Sequence, residues 1–193
     1  NKDDWSALMF ASRYSSKYSS LETVELLLKY PNINVNLQNN YGWTALMYAS
    51  LYSNTDSSLE TIELLLKYPN IDVNFQNKNG CTALMCASLF YNTVSSLEIV
   101  ELLLKHPNIN VNLQDEDGWT ALMFASRNSN TYSSLETVEL LLKHPNIDVN
   151  LQNKDGCTSL MLASYNSDKD SSLETVELLL KHPNINVNLQ DED

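Results

Sequence analysis

Nowhere in these 193 residues is there a run of about 18 apolar residues, the length a helix needs to cross a bilayer. No charged-then-apolar segment opens the sequence either, so neither a membrane span nor a secretory signal is expected in it. Basic residues are scarce: 12 Lys and Arg stand against 24 Asp and Glu, for a formal net charge of −12. A phosphate backbone would be repelled, which argues against nucleic acid as a partner. Cysteine is scarce too, at three residues. Cys81 and Cys157 share one position of a repeat, two units apart, so packed helices would separate them by about 20 Å, too far for a disulfide. Cys81 and Cys86 lie on one expected helix and are poorly placed to pair. Three unpaired thiols fit a reducing compartment such as the cytoplasm. They lack the second close pair that a zinc site needs, so no metal is expected.

What the sequence has instead is repetition. Asp117-Gly118-Trp119-Thr120-Ala121-Leu122-Met123 returns as Tyr41-Gly42-Trp43-Thr44-Ala45-Leu46-Met47, Asn79-Gly80-Cys81-Thr82-Ala83-Leu84-Met85 and Asp155-Gly156-Cys157-Thr158-Ser159-Leu160-Met161, with a weaker copy from Asp3 to Met9. The interval is a constant 38 residues. The units are 1–38, 39–76, 77–114, 115–152 and 153–190, with 191–193 beginning a further one. A period of about 20–50 residues predicts one elongated array, in which no unit buries its apolar face alone. A hydrophobic fraction of 43% is enough for a continuous core.

The second unit serves as template. Gly42 supplies a position that tolerates positive φ, and Thr44 is placed to cap a short helix from Ala45 to Ser50. A polar connection from Leu51 to Asp56 follows. Ser57-Ser58-Leu59-Glu60 has the S-x-x-E spacing of a capping box, and Leu59, Ile62, Leu65 and Leu66 form an apolar stripe on a second helix that Pro69 stops. From Pro69 to Gln76 apolar and polar residues alternate into an Asn/Gly turn, which predicts an extended, hairpin-like arm too short to be a sheet strand. All five units share this grammar.

These residues resemble ankyrin repeats: a Gly-x-Thr-x-Leu opening, an Ala-Ser pair, then Val-Glu-Leu-Leu-Leu and a Val-Asn arm. The resemblance covers the whole chain and implies an all-α ankyrin-repeat solenoid of stacked helix-loop-helix units with extended β-hairpin-like arms. The unit is longer than the family's ~33 residues, with the additional residues falling mainly around Asn54 to Ser58. Where the family has Thr-Pro-Leu-His, this chain has Thr-Ala-Leu-Met, so the family's histidine-centred turn bonds are not expected. The long unit and the Asn, Lys, Tyr and Ile usage are similar to ankyrin arrays of giant amoebal viruses, which implies a viral protein in host cytoplasm. Residues 182–193 repeat residues 106–117, so a longer array is expected, with any appended domain unseen.

Comparison of the units separates constant positions from variable ones. Leu59, Glu60, Glu63, Leu64, Leu65, Leu66, Lys67 and Pro69 have the same residue in every unit, as shared packing and capping require. By resemblance, the arm tips and first helices line a concave groove that binds proteins. Its candidates are Tyr41, Trp43, Leu51, Tyr52, Lys78, Asn79, Phe90, Glu116, Asp117, Trp119, Arg127 and Asn128. Tyr, Trp and Arg are also the types enriched at interface hot spots. Against this stands the plainer reading that Trp43 and Trp119 only cover a helix start and that the rest is surface drift.

No catalytic constellation is present. His106, His144 and His182 share one position before the proline, where a ladder at the helix ends is expected. No Ser/His/Asp set or phosphate loop is found, and the repeated carboxylates lie one unit apart. No cofactor is expected. The resemblance also implies that the arm asparagines Asn36, Asn74, Asn112, Asn150 and Asn188 are possible hydroxylation sites. The expectation is a protein-binding scaffold without enzymatic activity. Two alternatives stand beside it: a structural subunit that self-associates or joins a larger, viral assembly, and the substrate-recognition arm of a ubiquitin-ligase adaptor.

Overall fold

The computed structural model describes residues 3–14, 21–52, 56–89, 94–127, 132–165 and 170–191, and every regular element among them is an α-helix. Each unit has a short first helix: α1 (Ala7–Arg13), α3 (Ala45–Leu51), α5 (Ala83–Leu89), α7 (Ala121–Arg127) and α9 (Ser159–Tyr165). Each also has a second helix: α2 (Leu21–Leu28), α4 (Asp56–Leu66), α6 (Val94–Leu104), α8 (Tyr132–Leu142) and α10 (Asp170–Leu180). First helices pack on first helices along one row, second helices pack along another, and each pair packs across the two. This is the all-α solenoid that the repeat predicts.

The first helix starts as its sequence dictates. Thr44 is the N-cap, its Oγ1 accepting the Met47 N–H at 3.3 Å, while the Met47 sulfur accepts the Thr44 N–H at 3.5 Å. A capping box is thus closed by a thioether, a weaker acceptor than the usual carboxylate. The same pair forms at Ser6–Met9, Thr82–Met85, Thr120–Met123 and Thr158–Met161. Methionine therefore makes the turn bonds at the position where the resemblance would place a histidine.

The second helix starts earlier than its motif predicts. It begins at Asp56, Val94, Tyr132 and Asp170, so Ser57, Ser95, Ser133 and Ser171 fall inside the helix rather than at its cap. The backbone is already helical one residue ahead of each serine; the side chains of these serines, which the expected capping boxes need, and Ser19 lie outside the described residues. Ile62 and Leu65 are fully buried, and so is Thr61, whereas Leu59, Leu64 and Leu66 are only half-buried. Each fully buried leucine or isoleucine contributes about 1.5–3 kcal/mol relative to exposure.

No strand occurs among the described residues. The arms are consecutive turns, and their backbone groups bond to the neighbouring unit through side chains. The Asn74 Nδ2 donates to the Asn108 carbonyl at 2.6 Å while its Oδ1 accepts the Asn110 N–H at 2.8 Å. Asn36, Asn112 and Asn150 do the same to the units that follow them. A second ladder runs through glutamine: Gln76 Nε2 donates to the Gly80 carbonyl at 2.7 Å and to the Gln114 carbonyl at 2.8 Å. The arms are thus stitched unit to unit by side-chain amides. Gly80, at φ +77, lies so close to the next arm that a Cβ would sit 2.6 Å from Asp115 and Glu116 backbone atoms. In the first unit Asp4 stands in the glycine's place and takes φ 53 itself, a conformation that Asp tolerates better than most residues.

The array shows what each unit lends its neighbour. Val35, Val73, Val111 and Val149 are at most 3% exposed, while their fifth counterpart, Val187, is 56% exposed. Leu173 and Leu180 open in the same way. One face of each unit is covered only by the unit after it.

Candidate binding surface

The twelve candidates fall into two sets. Tyr41, Lys78, Asn79, Glu116 and Asp117 are exposed at the arm tips. Their backbones connect the units: the carbonyls of Tyr41, Asn79 and Asp117 accept from the N–H groups of Lys78, Glu116 and Lys154 at 2.9–3.0 Å. Each tip is shaped by the residue before it. Asn39 Oδ1 accepts from both Tyr41 and Trp43 N–H, and Asp115 Oδ1 does so from Asp117 and Trp119. The tip side chains are therefore displayed on a fixed backbone.

The second set belongs to the first-helix row. Trp43, Trp119 and Leu51 are half-buried, and Tyr52 and Arg127 are exposed. Phe90 and Asn128 lie outside the described residues. Trp43 stacks on Tyr48 with centroids 5.0 Å apart, and Trp119 stacks on Phe124 at 5.2 Å. Arg127 and Trp119 come together, the guanidinium 5.2 Å from the indole centroid. Lys78 and Asn79, by contrast, contribute only at the arm tips.

Further residues absent from the candidates join this row. Trp5 stacks on Tyr48 of the next unit at 4.2 Å and meets Phe10 at 4.8 Å. Arg13 lies over Trp5, Tyr14, Tyr48 and Tyr52, nearest to Tyr52 at 4.6 Å. The signal that finds them is repeat position: Trp5, Phe10 and Arg13 stand where Trp119, Phe124 and Arg127 stand in the fourth unit. Confining the candidates to the middle units left them out. Tyr48 is nearly buried, which raises its phenol above the ordinary range, while a 2.9 Å hydrogen bond from Asn39 Nδ2 acts in the opposite sense.

In the third and fifth units cysteine replaces this tryptophan. Cys81 is half-buried, and burial, with Asp115, Asp117 and Glu116 adding to it, pushes its thiol up to about 11. Cys86 is buried and raised further, chiefly by that burial. Neither has the lowered pKa of a reactive nucleophile. Each histidine closes its own turn, Nδ1 accepting the N–H of Asn108, Asn146 or Asn184 at 3.3 Å. Among the described residues no His, Cys, Asp and Glu cluster has the arrangement to hold a metal, and no helix is long and apolar enough to cross a membrane.

Comparison with known proteins bears on the whole chain. A family model described as ankyrin repeats (3 copies) matches residues 1–77, 54–153 and 95–191. The crystal structure of EF0377, an ankyrin repeat protein, is similar with a TM-score of 0.80 at 22% identity, over 96% of this chain and 85% of that one. No curated protein matches.

Proposed function

The chain belongs to the ankyrin-repeat family, whose members are generally protein-interaction modules, and from that premise we propose that it is a rigid scaffold holding a protein partner along its first-helix row and arm tips. The observation that carries this reading is the aromatic and arginine surface of that row, with Tyr52 and Arg127 exposed and Trp43 and Trp119 half-buried on it. Large rigid side chains of these types supply contact area at low entropic cost. They stand on a backbone fixed by capping boxes and inter-unit ladders, so little ordering remains to oppose binding. The mode is recognition by shape and side-chain complementarity, without catalysis. A net charge of −12 weighs against nucleic acid, and three free thiols support a reducing compartment such as the cytoplasm.

The test is affinity capture from lysate of the source cell, using the parent chain and a variant with Trp43→Ala, Tyr52→Ala and Trp119→Ala of equal helicity. Partners held by the parent and lost by the variant are expected. Identical partners on both would remove the site from this surface.

A further inference from the structure

The only two arginines of the chain, Arg13 and Arg127, are three units apart at one repeat position. Each ends a first helix, and each guanidinium lies 5.2 Å from the centroid of its own unit's tryptophan, Trp5 or Trp119. The five first helices carry no other charged residue. In a chain of net charge −12, the row is neutral except for two cations. Between them, in the order in which the helices pack, lie the ends of α3 and α5, with Leu51, Tyr52 and Leu89. The acidic residues Asp3, Asp4, Glu116 and Asp117 belong to the arm tips in sequence, and the Asp3 carboxylate, like Arg13, acts on the Tyr48 phenol.

Resting on the scaffold reading above, we propose that this row reads an extended acidic segment of its partner, with one carboxylate at Arg13, a second at Arg127 and apolar side chains between. Three helix spacings of about 8–10 Å separate the two stations by roughly 24–30 Å. An extended chain advances about 3.3 Å per residue, so the two carboxylates lie about seven to nine residues apart. Side chains of an extended chain alternate in direction, so the apolar ones that face the row fall at every second residue between the two carboxylates. A guanidinium held over a ring retains its donor fork in its own plane, the geometry that matches a carboxylate. The Arg13 station is the more enclosed, since four rings surround it and lower the local dielectric.

The probe is a capped synthetic peptide with two glutamates about eight residues apart, leucine at every second position between them and serine elsewhere. Its controls replace one or both glutamates with glutamine, or bring them within about four residues. Calorimetric titration of the full chain is expected to show the two-glutamate peptide binding about tenfold or more tighter than the one-glutamate peptide. Arg13→Gln and Arg127→Gln, each of parental helicity, should abolish that preference. The Arg13→Glu, Arg127→Glu double variant should instead prefer the twin peptide carrying lysines over the same peptide with its lysines within about four residues, a spacing preference that neither net charge nor misfolding can mimic. Equal affinity for the short-spaced peptide, a preference that survives either glutamine variant, or no preference for any peptide would overturn the proposal. Lysate partners lost by the Trp43, Tyr52 and Trp119 variant yet kept by both glutamine variants would leave the scaffold reading standing and remove the acidic segment.

Discussion

The arm side of this molecule and its first-helix row are neighbours built on opposite rules. On the arm side the same Asn, Gln and Gly recur in nearly every unit, and each makes bonds or contacts to the next unit that only its own kind of side chain allows. Along the row the residue changes from unit to unit: Trp5, Trp43, Cys81, Trp119 and Cys157 occupy a single position, and the tryptophans rest on rings of the same row, Phe10, Tyr48 and Phe124. The difference teaches where freedom lies. A side chain that satisfies a neighbour's backbone groups is tied to the period, whereas one that rests on a ring beside it is released for recognition.

The sharpest way to break the contrast is at a glycine. Gly80→Ala combines a left-handed backbone with a Cβ 2.6 Å from the Asp115 and Glu116 backbone, and should cost more than about 2 kcal/mol in urea unfolding. Next comes the ladder. Asn74→Ala removes two bonds to the following unit and should cost about 1–2 kcal/mol. Asn188→Ala, whose side-chain amide makes no bond to a following unit among the described residues, should cost much less and serves as its control. Thr120→Ala deletes one half of a capping box and should cost about 1 kcal/mol. On the row, Arg127→Gln at an exposed site should leave stability within about 0.5 kcal/mol of the parent. The smallest effect concerns chemistry. With its thiol pushed up to about 11 against an ordinary 9.0, Cys81 should carry about 100-fold less thiolate at pH 8 than an ordinary cysteine and alkylate slowly. Asp115→Asn should speed it only slightly, because burial is the larger cause.

Much of this was legible in the sequence because a period of 38 residues repeats every local signal. The helix at Ala45, the apolar stripe of the second helix, the Thr44 cap and the positive φ at Gly42 all follow from residue chemistry that acts within a few positions. The amide ladders were not legible, since Asn74 and Gln76 read as ordinary polar arm residues until the next unit is set beside them. The methionine sulfur at the cap escaped for another reason: a thioether rarely closes a capping box, and Met47 reads as core. Starts of the second helices were misplaced because a serine pattern marks a cap only to within a residue or two. Among candidate contacts, Trp119 with Arg127 was not legible, since Trp119 stands ahead of α7 and Arg127 ends it. The Arg13 cluster depends on Tyr48 and Tyr52 of another unit, a relation no single unit contains.

The account's central claim is that stability resides in the arm ladders and recognition in the first-helix row. The most direct measurement compares lysate capture by Asn74→Ala with capture by the Trp43→Ala, Tyr52→Ala, Trp119→Ala variant, at a temperature where circular dichroism shows both folded. The account predicts that the ladder variant retains the parent's partners while melting earlier, and that the aromatic variant loses them. Loss of partners by the folded ladder variant, with retention by the aromatic one, would contradict it.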